Sequence, residues 1–259
     1  MINRTIYIII FMALVLTSCS KNKTIARLPS EVKWQTAENY FNRGRYTRAM
    51  PYYQQLVFEK SSVYTADAQF KLGECYFRRK SKENLVDAIF EYQEMLRLFP
   101  EHRLAPDAQF RIGEAYAMLS LSPEFTQDES ERAIENFTRF IEKYPQDSRV
   151  AEAYRHIANM QLKIIEKKFL TGYIYFKMKD YPASQHYLNE IISLGNRNEL
   201  EKKSVFYNAI IHIERREKSE AIAAIEHLDR HFPNSRETKR AHMRFKRIDN
   251  RFYRFIYSI

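Results

Sequence analysis

The chain has 259 residues and a net charge of +10, and it contains 18 tyrosines and 18 phenylalanines but only 5 glycines and 8 prolines. So few glycines and prolines argue against a fold rich in tight turns and favour long helices, while a hydrophobic fraction of 45% excludes a largely disordered chain. The positive charge indicates anionic partners. No nucleic-acid recognition motif accompanies it, so we expect no nucleic acid among the partners.

The first 18 residues predict a cleaved signal peptide. Asn3 and Arg4 form a short polar and positive start, and an uncharged apolar run extends from Ile6 to Leu16. This run is about half as long as the ~20 residues that a membrane-spanning helix requires. A targeting segment that is removed after export therefore explains it better than a membrane anchor.

The end of this run, Leu16-Thr17-Ser18-Cys19, resembles a bacterial lipobox. The resemblance implies that Cys19 is the lipid attachment site, carrying a thioether-linked diacylglycerol and an acyl chain, with residues 19–29 as a lipidated linker. Ser20 stands where lipoproteins retained in the inner membrane often have Asp. We therefore expect a lipid anchor in the outer membrane and a body that faces the periplasm. The alternative is an ordinary signal peptide with an incidental cysteine.

The body of the chain is repetitive. Residues 66–77 and 106–117 lie 40 positions apart and are identical at seven of twelve positions, a period typical of stacked helical repeats. Weaker copies share an aromatic residue, a small residue three positions later and an aromatic or His three beyond that. The five sets are Trp34, Ala37 and Tyr40; Phe70, Gly73 and Tyr76; Phe110, Gly113 and Tyr116; Phe169, Gly172 and Tyr175; and Phe206, Ala209 and His212.

The pattern predicts an all-α fold, an α-solenoid of about five helix pairs over residues 30–235 with a C-terminal capping helix over 236–259. The second helix of each pair contains an alanine near its start. Four of these helices are predicted to end where Pro or Gly interrupts a helix, at Phe99-Pro100, Tyr144-Pro145, Leu194-Gly195 and Phe232-Pro233. We also expect an insert from Leu119 to Asp128 and one long helical stretch over residues 148–178.

The segment from Gly44 to Ala49, and the similar turn Lys179-Asp180-Tyr181, resemble the tetratricopeptide repeat, although the repeats here exceed its usual length of about 34 residues. With the lipobox, the run from Asp128 to Ser148 and the segment from Phe169 to Phe176, the chain resembles the BamD family of outer-membrane β-barrel assembly lipoproteins. The resemblance implies a scaffold that binds the β-barrel insertase of the assembly machinery and unfolded outer-membrane protein precursors.

Two sets of residues in the repeats are candidates for partner binding. Glu38, Glu74 and Glu114 recur beside the small residue of the first helix, where a row of carboxylates could receive basic or N–H groups of an extended peptide; the alternative is an exposed stripe of solvated charges. The first-helix aromatics are expected to form core between repeats; the alternative is a ladder of rings that reads a bound peptide. Trp34 has only one neighbouring repeat to cover it, and we expect it to be partly open.

Two further candidates lie outside the repeated pattern. Phe125 in the insert could contact a partner, or the insert could be a simple surface loop. The C-terminal segment is basic and amphipathic, and Arg247 and Arg251 could bind an anionic membrane surface or a partner subunit. The alternative is a capping helix whose charges face water.

The sequence carries no signal for catalysis. It has no phosphate-binding glycine loop, no glycine-flanked nucleophilic serine and no CxxC motif, so we expect neither an enzyme nor a bound cofactor or metal. With Cys19 lipidated, Cys75 is a single thiol in an apolar pattern and is expected to be buried. Other functions stay open: a tetratricopeptide lipoprotein adaptor for cell division or peptidoglycan synthesis, or a module that presents substrate to a peptidoglycan hydrolase or glycan-uptake system.

Overall fold

The computed structural model describes residues 24–59 and 62–256, with side chains up to residue 248. The predicted signal peptide, Cys19 and the side chain of Arg251 lie outside these described residues. The described chain is helical and contains no strand. Its long helices are α1 Ser30–Asn42, α2 Tyr46–Phe58, α3 Thr65–Phe77, α4 Lys82–Leu98, α5 Ala105–Leu119, α6 Asp128–Lys143, α7 Val150–Met178, α8 Tyr181–Ser193, α9 Glu199–Arg215, α10 Lys218–His231 and α11 Arg236–Ile256.

The helices confirm the predicted all-α class, with five consecutive pairs from α1/α2 to α9/α10 and a C-terminal helix. The insert between α5 and α6 and the long helix α7 lie where the sequence predicts them. Helix ends follow local chemistry. The side chains of Ser81, Asp180 and Asn198 accept backbone N–H bonds at the starts of α4, α8 and α9. Gly195 adopts a φ of +61° shortly after α8, a conformation that glycine tolerates without strain.

The described chain falls into two compact units. Unit 1 comprises residues up to 120 together with 128–158, and unit 2 comprises residues 121–127 and those from 159 onward. In unit 1, each helix from α1 to α6 packs against the next in chain order. One core cluster joins the first pair to α3 and includes Tyr53, Leu72 and Cys75, and a second joins α3, α4 and α5 around Tyr92. Cys75 is fully buried, as predicted.

The small residues of the first helices permit close approach of the second helices, as the repeat pattern predicts. The ring of Phe137 on α6 lies so near Gly113 on α5 that an added Cβ would stand 2.8 Å from a ring carbon. This is closer than real Cβ contacts, so the glycine sets the distance between the paired helices.

In unit 2, α9 contacts α8, α10 and α11. Its core contains Phe206 and Leu228, and α11 adds buried Ala241 with partly buried Phe245 and Ile248. The described part of α11 therefore caps the last repeat with one apolar face, as expected for the predicted amphipathic capping helix; the side chains after residue 248 lie outside the described residues. Among the described residues, no helix combines the length and apolar character needed to cross a membrane.

Candidate partner-binding surfaces

The repeated carboxylates lie on the first helices of unit 1, and each of them is engaged within the chain. The phenol of Tyr53 donates a hydrogen bond to Glu38 Oε1 at 2.5 Å, and Lys71 Nζ of the next repeat lies 3.1 Å from the same oxygen. The Lys71 ammonium also lies 4.4 Å from the centre of the Phe41 ring. Glu38 is therefore part of a contact between the first two repeats.

Glu74 occupies the equivalent position in the second repeat and is buried, with 5% of its surface exposed. The phenol of Tyr92 donates to Glu74 Oε1 at 2.7 Å, and Arg111 Nε of the third repeat lies 2.8 Å from that oxygen. Burial, reinforced by the Glu74 charge, raises the pKa of the Tyr92 phenol well above its usual value. Both interpretations drawn from the sequence, a peptide-receiving carboxylate and a solvated one, assume an accessible Glu74 and are wrong on that point. The Glu74 carboxylate can be buried because the Tyr92 phenol and the Arg111 guanidinium, from neighbouring helices, take the place of water around it.

Arg111 extends the network to the third repeat. Its Nη1 lies 2.7 Å from Glu114 Oε2, and its guanidinium stands 4.9 Å from the centre of the Phe77 ring. Burial lowers the pKa of Arg111, but the charges of Glu74 and Glu114 outweigh burial and raise it overall. A basic partner group would have to displace Lys71 or Arg111 from these carboxylates. Whether Glu38, Glu74 and Glu114 bind a partner stays a prediction.

The two cations of this network were missed in the sequence. Lys71 and Arg111 each follow the first-helix aromatic residue, Phe70 and Phe110. A basic residue therefore recurs about one helical turn before the recurring glutamate. That spacing could have indicated pairing from one repeat to the next. In the fourth repeat, Leu170 stands where Lys71 and Arg111 stand in the second and third repeats. In the third repeat, Phe137 stands where the first two repeats have Tyr53 and Tyr92. The sequence pattern of glutamate, tyrosine and basic residue therefore ends at Glu114.

Trp34 is half-buried, as expected for the first repeat. Its ring stacks on Tyr64 with centroids 5.2 Å apart and meets the edge of Tyr53 at 5.8 Å. Of the other first-helix aromatics, Phe70, Phe110 and Phe206 are buried in core, as predicted, whereas Phe169 is half-buried. One face of Trp34 is thus used within unit 1, and its partner role stays a prediction.

A buried lysine near the start of unit 1 was also missed. Lys33 is 1% exposed, and its Nζ donates to the backbone oxygen of Ala26 at 3.0 Å and pairs with Glu59. Ser30 Oγ donates to the same carboxylate at 2.7 Å. These bonds tie the residues before α1 to the end of α2. Lysines are rarely buried unless paired, and nothing near Lys33 in the sequence indicates that Glu59 is its partner.

The insert forms an ordered turn in unit 2. The Phe125 N–H donates to the Ser122 oxygen at 3.0 Å, and Lys163 and Lys167 of α7 donate to the backbone oxygens of Leu121 and Glu124 at 3.3 and 3.0 Å. Phe125 remains 58% exposed. The insert is therefore held by α7 while presenting an aromatic side chain to solvent, a geometry suited to a partner contact.

The C-terminal helix contributes Arg247 to a cavity of about 400 Å³ in unit 2. Arg247 is exposed, and Arg251, one helical turn further along, has its side chain outside the described residues. The cavity lies between α7, α9 and α11. Its lining residues are Phe176, Phe206, Tyr207, Ile210, Arg240, Met243, Arg244 and Arg247.

Comparisons with known proteins match the first part of the chain to a repeat family. Two family models, each described as tetratricopeptide repeat, match residues 35–103 and 107–147. No curated protein matches the chain. Among solved structures, a tetratricopeptide repeat protein from Parabacteroides merdae has a TM-score of 0.36 and 13% identity, covering 87% of this chain and 75% of that one. The TPR domain of P58(IPK) has a TM-score of 0.33 and 14% identity, covering 86% of this chain and 66% of that one.

Proposed function

We propose, from the tetratricopeptide repeats matched at residues 35–103 and 107–147, that the chain is a non-catalytic scaffold of the outer-membrane β-barrel assembly machinery. In this proposal, lipid on Cys19 holds it to the outer membrane with its body in the periplasm. Its partners are the β-barrel insertase and unfolded outer-membrane protein precursors.

The repeat matches over residues 35–103 and 107–147 are the observation that carries the scaffold role. Stacked helical repeats bury their apolar faces against each other and leave extended surfaces that are suited to protein partners. The ion pairs of Glu38 with Lys71 and of Glu74 with Arg111 support this role, because each fastens the first helices of two neighbouring repeats and keeps such a surface in shape.

The finer assignment to β-barrel assembly is supported by sequence features alone. They are the lipobox ending at Cys19 and the resemblance of the long repeats to the BamD family. By that resemblance, the N-terminal repeats would receive precursors and the C-terminal repeats would bind the machinery. The half-buried Trp34 in unit 1 and the exposed Phe125 and Arg247 in unit 2 are the candidate contacts.

An adaptor lipoprotein for cell division or peptidoglycan synthesis would have the same repeats and the same anchor, so it is the main competing function. A glycan-capturing module would need an exposed aromatic platform. The one tryptophan of the chain, Trp34, is half-buried and stacks on Tyr64, so it does not offer one.

The test is a mild-detergent pull-down of the tagged full-length protein from outer membranes, with partners identified by mass spectrometry. We expect a β-barrel insertase as the main partner. Recovery of division or peptidoglycan proteins without an insertase would overturn the assembly role and leave the scaffold role. A Cys19→Ala variant serves as the control for the anchor, since it should leave the outer-membrane fraction if lipid on Cys19 holds the protein there.

A further inference from the structure

The cavity between α7, α9 and α11 combines apolar walls with three guanidinium groups. Phe176, Phe206 and Ile210 form part of its apolar wall, and α11 supplies Arg240, Arg244 and Arg247. The three arginines are four and three residues apart, so they follow one face of the helix about one turn from each other. An apolar cavity bordered by a row of positive charges on α11 therefore lies in unit 2.

The arginines are not neutralised to the same degree. Arg244 Nη2 pairs with Glu214 Oε1 at 2.6 Å. The guanidinium of Arg240 stands 5.2 Å from the centre of the Phe206 ring, and neither Arg240 nor Arg247 forms an ion pair with a carboxylate among the side chains described. Two positive charges at the cavity are thus available to an anionic group.

The aromatic residues of the cavity wall pack against one another and against Tyr173. The ring centroid of Tyr207 lies 4.9 Å from that of Phe176 and 5.0 Å from that of Tyr173. Burial, and to a smaller degree the interaction with Tyr173, raises the pKa of the Tyr207 phenol. All three residues are half-buried, so they pack against one another while part of their surface stays exposed. Rings fixed in this way form a rigid apolar surface that costs a ligand little ordering of the protein.

We propose that this cavity docks a segment of a protein partner that carries a large apolar or aromatic side chain flanked by carboxylates. The volume of about 400 Å³ is at the lower end of ligand sites and suits one or two side chains rather than a folded surface. Arg240 and Arg247 are placed to take the flanking carboxylates, because guanidinium groups form strong paired hydrogen bonds with them. This proposal rests on the scaffold role and not on the assignment to β-barrel assembly.

The probe is a short fluorescein-labelled peptide with a central phenylalanine–leucine pair and two glutamates on each side. Binding to the full-length protein in detergent micelles is measured by fluorescence anisotropy. We expect Arg247→Met and Arg240→Met each to weaken binding by roughly tenfold, the loss of one charge-assisted contact. A peptide with glutamines in place of the glutamates should bind more weakly by a larger factor.

Lys239→Met and Lys246→Met are the matched controls, since they remove one exposed positive charge from the same helix without lining the cavity. Equal weakening by these controls would mean general attraction between charges, and undetectable binding to the wild-type protein would overturn the proposal directly. In the Cys19→Ala background, where no lipid anchor holds the protein to vesicles, loss of sedimentation with phosphatidylglycerol vesicles in the arginine variants, with peptide binding unchanged, would assign the cavity to the membrane instead. Because no insertase takes part, these outcomes are independent of the pull-down.

Discussion

Gly73 lies directly against the ring of Tyr92, so that a Cβ atom at Gly73 would stand 2.7 Å from Tyr92 Cε1 and 2.8 Å from Cδ1. The ring has no free space into which to move, because Tyr92 is fully buried and its phenol is bonded to Glu74. The neighbouring residues Gly73 and Glu74 thus combine a close helix contact in the second pair with the start of a buried polar network.

We predict that Gly73→Ala destabilises the protein by about 1–2 kcal/mol. The added methyl overpacks the core by about 1–3 kcal/mol, which outweighs the gain of up to about 1 kcal/mol from replacing a helical glycine. Urea unfolding followed by circular dichroism measures the change. Gly172→Ala is the control, since a Cβ atom added at Gly172 would stand 3.1 to 3.3 Å from its nearest neighbours. This substitution should leave the free energy of unfolding almost unchanged. A stabilising effect of Gly73→Ala would contradict the packing argument.

Glu74→Gln should destabilise the protein by about 1–3 kcal/mol, because it removes the charge that compensates the partly buried Arg111. Glu114 pairs with the same arginine but is more exposed than Glu74. Glu114→Gln should therefore lower the free energy of unfolding by less than about 1 kcal/mol. A double-mutant cycle of Glu74→Gln with Arg111→Met should show coupling above about 0.5 kcal/mol. Additive effects would mean that the two residues do not act as a pair.

The pair of Lys33 and Glu59 predicts a specific loss of stability in acid. Burial raises the pKa of the Glu59 carboxyl, but hydrogen bonds from Lys33 and Ser30 outweigh burial and lower it overall. A carboxyl whose pKa is lowered by folding contributes stability above its unfolded pKa, and this contribution is lost as pH falls through the folded pKa.

The free energy of unfolding of the wild-type protein should therefore exceed that of Glu59→Gln at pH 7, and the difference should shrink as pH falls below about 4.5. Urea unfolding at a series of pH values measures it. Glu135→Gln, in an exposed pair with Arg139, should show almost no difference at any of these pH values. A Glu59 difference that does not change with pH would refute the role of this carboxylate.

Cys75 should be unreactive in the folded protein, because burial raises the pKa of its thiol to about 12 and the thiolate is the reactive form. A thiol count with a chromogenic disulfide reagent at pH 8 should give almost none before denaturation. After denaturation in urea, the two cysteines of the chain should give one thiol if the Cys19 sulfur carries lipid. A count of two would show that Cys19 is unmodified.

Phe125→Ser should lower recovery of the main partner in the pull-down while changing stability by less than about 0.5 kcal/mol, as is usual for an exposed site. Phe90→Ser is the matched control, because Phe90 on α4 is 60% exposed and Phe125 is 58% exposed. Equal recovery with both variants would favour the interpretation of the insert as a simple surface loop.

The secondary structure of this protein was predictable from local features of the sequence. The spacing of aromatic and small residues, together with Pro100, Pro145, Pro233 and Gly195, correctly indicated the helix pairs, the insert and the long α7. These signals act within a few residues, since they depend on helical periodicity and on the backbone limits of proline and glycine. The burial of Cys75 followed from the same pattern.

Only the tertiary structure decided what the charged side chains do. Glu74, Arg111 and Lys33 look like surface residues in the sequence, yet Glu74 and Lys33 are buried and Arg111 is partly buried. Each of them has a partner 18 to 37 residues away in the chain. The cavity of unit 2 also joins three helices that are distant in sequence. Pairings of this kind depend on which helices pack together, and the energy of a buried charge depends on those neighbours rather than on residue type alone.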